Sequence, residues 1–152
     1  MHNWFECKIK YDKIQETGMQ RSVTEPYLVD ALSFTEAEAR IVEEIKPFIS
    51  GEFSVSSVRR MKFAESIFND TGDRYYRAKL YFLTLDEKSG SEKKTAVNML
   101  VQASTLKEAV EIVESEMEKT MIDYEFASVV ETAIMDVFPY DGAKQDEEDG
   151  DD

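Results

Sequence analysis

One offset runs through this chain and limits what it can fold into. Leu28-Val29-Asp30-Ala31-Leu32-Ser33-Phe34-Thr35-Glu36-Ala37 returns as Leu100-Val101-Gln102-Ala103-Ser104-Thr105-Leu106-Lys107-Glu108-Ala109, with Leu, Val, Ala, Glu and Ala held at a spacing of 72. Gly18 and Gly90 share that spacing. Upstream, Trp4-Phe5 answers Tyr75-Tyr76 and Lys8-Ile9 answers Lys79-Leu80, one residue out of step. Downstream, Phe53-Ser54-Val55 answers Tyr124-Glu125-Phe126, and Ser57-Val58 answers Ser128-Val129. Slips of one residue belong in hairpin loops and bulges. The ordered series predicts one structural unit used twice, over residues 4–68 and 75–138.

Each copy reads as β-β-α-β. Phe5, Cys7, Ile9 and Tyr11 alternate with Trp4, Glu6, Lys8 and Lys10, and Tyr76, Ala78, Leu80 and Phe82 keep the same beat in the second copy. A turn at Gly18 or Gly90 reverses the chain into a second strand, through Tyr27-Val29-Ala31 or Val97-Met99-Val101-Ala103. Pro26, lacking an N–H, marks its strand as an edge there. Ser33-x-x-Glu36 and Thr105-x-x-Glu108 both fit a capping box, in which the hydroxyl takes the third backbone N–H and the Glu reaches back to the cap's own N–H. The helices bury Phe34, Ala37, Ile41 and Ile45 in one copy and Leu106, Ala109, Val113 and Met117 in the other. Pro47 ends the first helix, whereas the second runs to about Thr120. A third strand closes each copy near 53–68 and 124–138, and a right-handed crossover gives the sheet order 2-1-3. The expected fold is α+β: two tandem β-β-α-β repeats packed as one pseudo-twofold domain, mainly antiparallel, with two principal helices. That domain spans residues 1–140, and Asn69–Asp73 joins the copies.

The chain resembles an uncharacterised bacterial family of unknown function. The resemblance rests on Trp4-Phe5-Glu6-Cys7-Lys8-Ile9-Lys10-Tyr11 and on the segment Leu28 to Ala37, and it covers residues 4–140. It implies no assigned activity, cofactor or catalytic residue.

Composition narrows the function. The net charge is −14, and Asp146, Glu147, Glu148, Asp149, Asp151 and Asp152 supply six of the 32 acids without a base among them. An acidic, Gly-punctuated segment cannot bury apolar surface, so residues 141–152 are expected to be disordered and to serve solubility. Apolar runs are too short to span a bilayer, nothing at the N-terminus reads as a signal peptide, and a lone Cys7 cannot form an internal disulfide. These features point to the cytoplasm and away from membranes.

No chemistry declares itself. His2, the single histidine, is expected to fray beside Met1, and Cys7 lies on an apolar strand face where a thiol fills core. One His and one Cys exclude the common zinc spacings, and no glycine-rich phosphate loop occurs. Glu111, Glu114 and Glu118 form one solvated helical face. Catalytic, metal and cofactor sites are all expected to be absent. A binding or assembly module of a bacterial cytoplasmic protein, with an unknown protein partner or self-association, is the favoured reading. The alternatives are a nucleic-acid patch of Arg59, Arg60 and Lys62 with Lys8 and Trp4, or an acidic mimic of a phosphate backbone. A third is a small-ligand groove between the repeats, lined by Tyr27, Tyr75 and Tyr81.

Overall fold

The computed structural model describes residues 2–140; the acidic segment 141–152 lies outside them. The fold is α+β, with eight strands and two helices among the described residues. The described residues divide into two compact units, unit one comprising residues 2–62 with 134–140 and unit two residues 63–133.

In unit one, β1 (Trp4–Ile14) and β2 (Gln20–Asp30) pair antiparallel along their full length, from Trp4 opposite Asp30 to Ile14 opposite Gln20. Gly18 turns the hairpin with φ +83, a value that only glycine adopts without strain. Helix α1 (Phe34–Ile45) follows, and β3 (Phe53–Met61) returns antiparallel on the other side of β1. The strand order is therefore 2-1-3, as the crossover rule predicts. Phe5, Cys7, Ile9, Tyr27, Val29 and Ala31 from the sheet pack on Ala37, Ile41 and Ile45 of α1. Burying nine such side chains contributes on the order of 1–3 kcal/mol for each large one.

Unit two contains β4 (Glu65–Ile67), β5 (Arg74–Leu85), β6 (Glu92–Ala103), α2 (Leu106–Glu118) and β7 (Asp123–Glu131). Strands β5 and β6 form the hairpin, with Gly90 at φ +70, and β7 pairs with β5. Tyr76, Ala78, Leu80, Met99, Val101 and Ala103 meet Ala109, Val113 and Met117 of α2.

Three expectations need correction. The third strands are not continuous. Beyond β3 the chain breaks at Lys62, and β4 pairs parallel with β6, Glu65 to Met99 through Ile67 to Val101. Beyond β7 it breaks again, and β8 (Val137–Phe138) pairs parallel with β2 at Leu28 and Val29. Residues 63–68 therefore belong with the second unit and 134–138 with the first, so Asn69–Asp73 links β4 to β5 within unit two. Phe34 and Leu106, each the first residue of its helix, are 55% and 51% exposed rather than core; the Phe34 ring meets Phe5 edge-on at 5.0 Å. The two helices have nearly equal lengths, since α2 stops at Glu118 while α1 runs to Ile45 before Pro47.

Both predicted caps are present in half. Ser33 Oγ accepts from the Glu36 N–H and Thr105 Oγ1 from the Glu108 N–H, each at 3.1 Å. The Glu half is spent elsewhere. Glu108 accepts from the N–H of Ser104, one residue before the cap, and from Asn69 Nδ2, while Glu36 accepts from the Tyr140 hydroxyl. No helix among the described residues is long and apolar enough to cross a membrane.

Candidate functional site

A strand at the end of a sheet leaves its outer N–H and C=O groups without a ladder, which makes it a template for another chain. Each unit ends in such a strand. The orders are β3-β1-β2-β8 and β4-β6-β5-β7, so β3 and β7, nine residues each, have one described neighbour apiece. Each also carries a bulge at the matching place: the register slips between Lys8 and Ile9 against β3, and between Lys79 and Leu80 against β7. The two edges differ in charge. Strand β3 holds Arg59 and Arg60 and no acid; β7 holds Asp123, Glu125 and Glu131 and no base.

Pairing sorts these side chains by face. Arg59 stands opposite Glu6, on the face turned from α1, and its guanidinium lies 3.3 Å from the Glu6 carboxylate. Glu125 stands opposite Tyr81, on the face turned from α2, and holds Lys94 at 2.8 Å. That carboxylate, hydrogen-bonded to Lys94, raises the ammonium pKa above its ordinary value.

The basic cluster of the sequence is not one surface. Arg59 and Lys8 share the face turned from α1, but Arg60 stands opposite Phe5 on the helix side and reaches Asn3 Oδ1 at 3.4 Å. Lys62 follows the end of β3, and Trp4 is 2% exposed and stacks on the His2 ring at 4.8 Å. Strand alternation splits the run, and burial removes its aromatic.

The tyrosines part similarly. Tyr27 belongs to the α1-facing core and stacks on Phe138; burial, with Glu25 and Asp136 nearby, pushes its hydroxyl up to about 12. Tyr75 and Tyr81 share the helix-free face of β5, Tyr75 buried and Tyr81 half-buried. Lys79 Nζ and Lys94 Nζ lie 5.6 and 5.8 Å from the Tyr81 ring centre. Sequence spacing gave no hint of this cation–aromatic triplet, because Lys94 reaches it from another strand.

His2 is not frayed. Its Nδ1 lies 2.7 Å from Asp30 Oδ2, and Asp30 Oδ1 accepts the Asn3 N–H at 2.9 Å. Asp30 is the buried charged residue of the described chain, 3% exposed, and Arg40 donates to its backbone carbonyl and to that of Pro139. A buried carboxylate needs such donors. The β1–β2 register could have revealed the pair, because Trp4 opposite Asp30 brings the chain's start to Asp30. Cys7 is fully buried, and burial first, then Glu6 and Glu38, push its thiol up to about 12, away from the thiolate form. Among the described residues no three His, Cys, Asp or Glu side chains gather as a metal-binding group.

A family model for a domain of unknown function, DUF4494, matches residues 3–140. The chain belongs to the DUF4494 family. The matched span takes in strands β3 and β7 and Asp30 but leaves out His2 and the acidic segment. A domain of unknown function brings no catalytic or ligand-binding residue with it, so the geometry must carry the functional reading. No curated protein and no solved structure matches the chain.

Proposed function

We propose that this DUF4494 protein is a non-catalytic assembly module of the bacterial cytoplasm, built from two copies of one β-β-α-β element, that joins its partner by strand addition at its open sheet edges. The observation that carries this reading is the pair of nine-residue edge strands, each of a single charge sign. Backbone ladders supply affinity in strand addition, and side chains at alternate positions supply selectivity. Support for duplication comes from the shared element order, the matched caps and glycine turns, and bulges 71 residues apart, at Lys8/Ile9 and Lys79/Leu80. The test is the native mass of the chain in a lysate of its source cells, read by size-exclusion chromatography with light scattering on the tagged protein. A mass well above the 17.5 kDa monomer is expected. A monomer in the lysate and in purified protein alike would overturn the reading.

A second reading rests on Tyr81. A half-buried ring flanked by two ammonium groups, with Arg77 exposed on the same face, suits one base stacked and its phosphates held. Filter binding of single-stranded DNA at two salt concentrations, with Tyr81→Ala as control, checks it: binding that weakens with salt and is lost in the variant supports it.

A further inference from the structure

Building on the assembly reading, we propose that the partner is a second copy of this chain, with the β3 edge of one molecule adding antiparallel to the β7 edge of the next. The two strands have equal length and opposite charge. Full overlap sets Phe53 against Glu131 and Met61 against Asp123, and outside the two bulges every side chain then falls beside one on the same face. Arg59 meets Glu125, both turned from their helices. Arg60 meets the half-buried ring of Tyr124, Val58 meets Phe126 and Val55 meets Val129, all on the helix side. Opposite charges and cation–aromatic contacts are favourable cross-strand pairs.

The register also extends features already inside each sheet. Glu6 and Arg59 form one ion pair and Glu125 and Lys94 another. Joined, they make a row of alternating sign: Glu6, Arg59, Glu125, Lys94. The bulge residues Ser56 and Ala127 come to neighbouring positions, so each kinked edge meets a kinked edge rather than a straight one. Pairing β7 with a second β7 sets Asp123 against Glu131, like against like, and is disfavoured. Because the contact joins two different edges, it is head-to-tail and extends into a ring or a filament.

Two charge-reversed full-length variants test this. In Arg59→Glu/Arg60→Glu both edges are acidic; in Asp123→Lys/Glu125→Lys the β7 edge becomes basic like β3. Sedimentation velocity over a concentration series, at about 0.15 M salt where exposed charges act only within roughly 8 Å, should show the wild type associating. Each variant alone should need about tenfold more protein to associate, and an equimolar mixture should assemble again, since acidic and basic edges then alternate. Far-UV circular dichroism establishes that each variant is folded. Should either unfold, mixing Arg59→Cys with Glu125→Cys gives an independent readout, a disulfide-linked pair of copies, in which buried Cys7 takes no part. Variants that associate like the wild type, a mixture that stays apart, or a purified wild type that remains monomeric would each overturn the proposal. A large native mass in lysate beside a monomeric purified chain would leave the assembly reading intact and remove the second copy as the partner.

Discussion

The two units fasten the chain leading into the first strand of their hairpins, β1 and β5, at corresponding positions with different chemistry. In unit one the fastener is a carboxylate: Asp30 takes the Asn3 N–H and the His2 ring. In unit two the matching residue, Gln102, is an amide, which accepts the Asn69 N–H at 3.2 Å and donates to the Gly72 carbonyl at 2.9 Å. An amide offers both donor and acceptor and satisfies two backbone groups without a charge. A carboxylate accepts only and must be matched by donors at each oxygen. Unit one thus places an ionic group where unit two manages with a neutral one. Gly72 shows how tight the neutral version is: a Cβ there would lie 2.6 Å from the Ala103 backbone.

The largest expected effect is Asp30→Ala, which strands the Asn3 N–H and the His2 ring and should cost about 3 kcal/mol in urea denaturation. Gln102→Ala, in a half-buried and uncharged site, should cost about 1 kcal/mol. Trp4, the only tryptophan, stacks on His2 and reports unit one by its fluorescence. Equal costs for the two substitutions would break the comparison.

Alkaline pH sharpens the contrast. In unit one the Cys7 thiol rises from 9.0, and the Tyr11 and Tyr27 hydroxyls from 10.0, each to about 12; burial leads for Cys7 and Tyr27, and the hydrogen bond to Glu25 leads for Tyr11. The fold favours the neutral form of all three. Their contribution is complete below pH 9 and is lost as the pH climbs through 12. The matching residues of unit two, Ala78, Phe82 and Met99, do not titrate, although burial raises Tyr124 there. Methyl NMR signals of Ile41 should therefore leave their native positions at lower pH than those of Val113, and Cys7→Ala should narrow the gap. Simultaneous loss would show that the units titrate alike.

The smallest effect belongs to the caps. Ser33→Ala and Thr105→Ala should each cost about 1 kcal/mol, and nearly the same, because the helices have 12 and 13 residues. The double variant should be additive within about 0.5 kcal/mol in chemical denaturation. A large difference between them would mean that the Glu108 contacts with Ser104 and Asn69 strengthen one cap beyond the other.

Much of this architecture was legible because it is periodic or local. Alternation in Phe5–Tyr11 and Tyr76–Phe82, the capping hydroxyls and the turn glycines all act within a few residues. The breaks at Lys62 and after Glu131 were not legible, since strands of two or three residues carry no usable period and their partners are chosen far away in sequence. The site was harder. Arg59, Arg60 and Lys62 look like one patch in a line of text, yet strand alternation alone divides them. The edges were hidden for the opposite reason: Asp123 and Glu125 match Arg59 only once β7 is known to end a sheet.

The route of the chain through β4 and β8 sets an order of manufacture. Unit two is continuous, so everything it needs leaves the ribosome as one stretch, from Phe63 to Ala133. Unit one is begun earlier but lacks β8, and the Arg40 contact with Pro139, until residues 137–139 emerge. The half made first is therefore finished last. Its unfilled β2 edge waits exposed through most of synthesis, and a nascent chain stalled before Val137 would present it to whatever strand comes near.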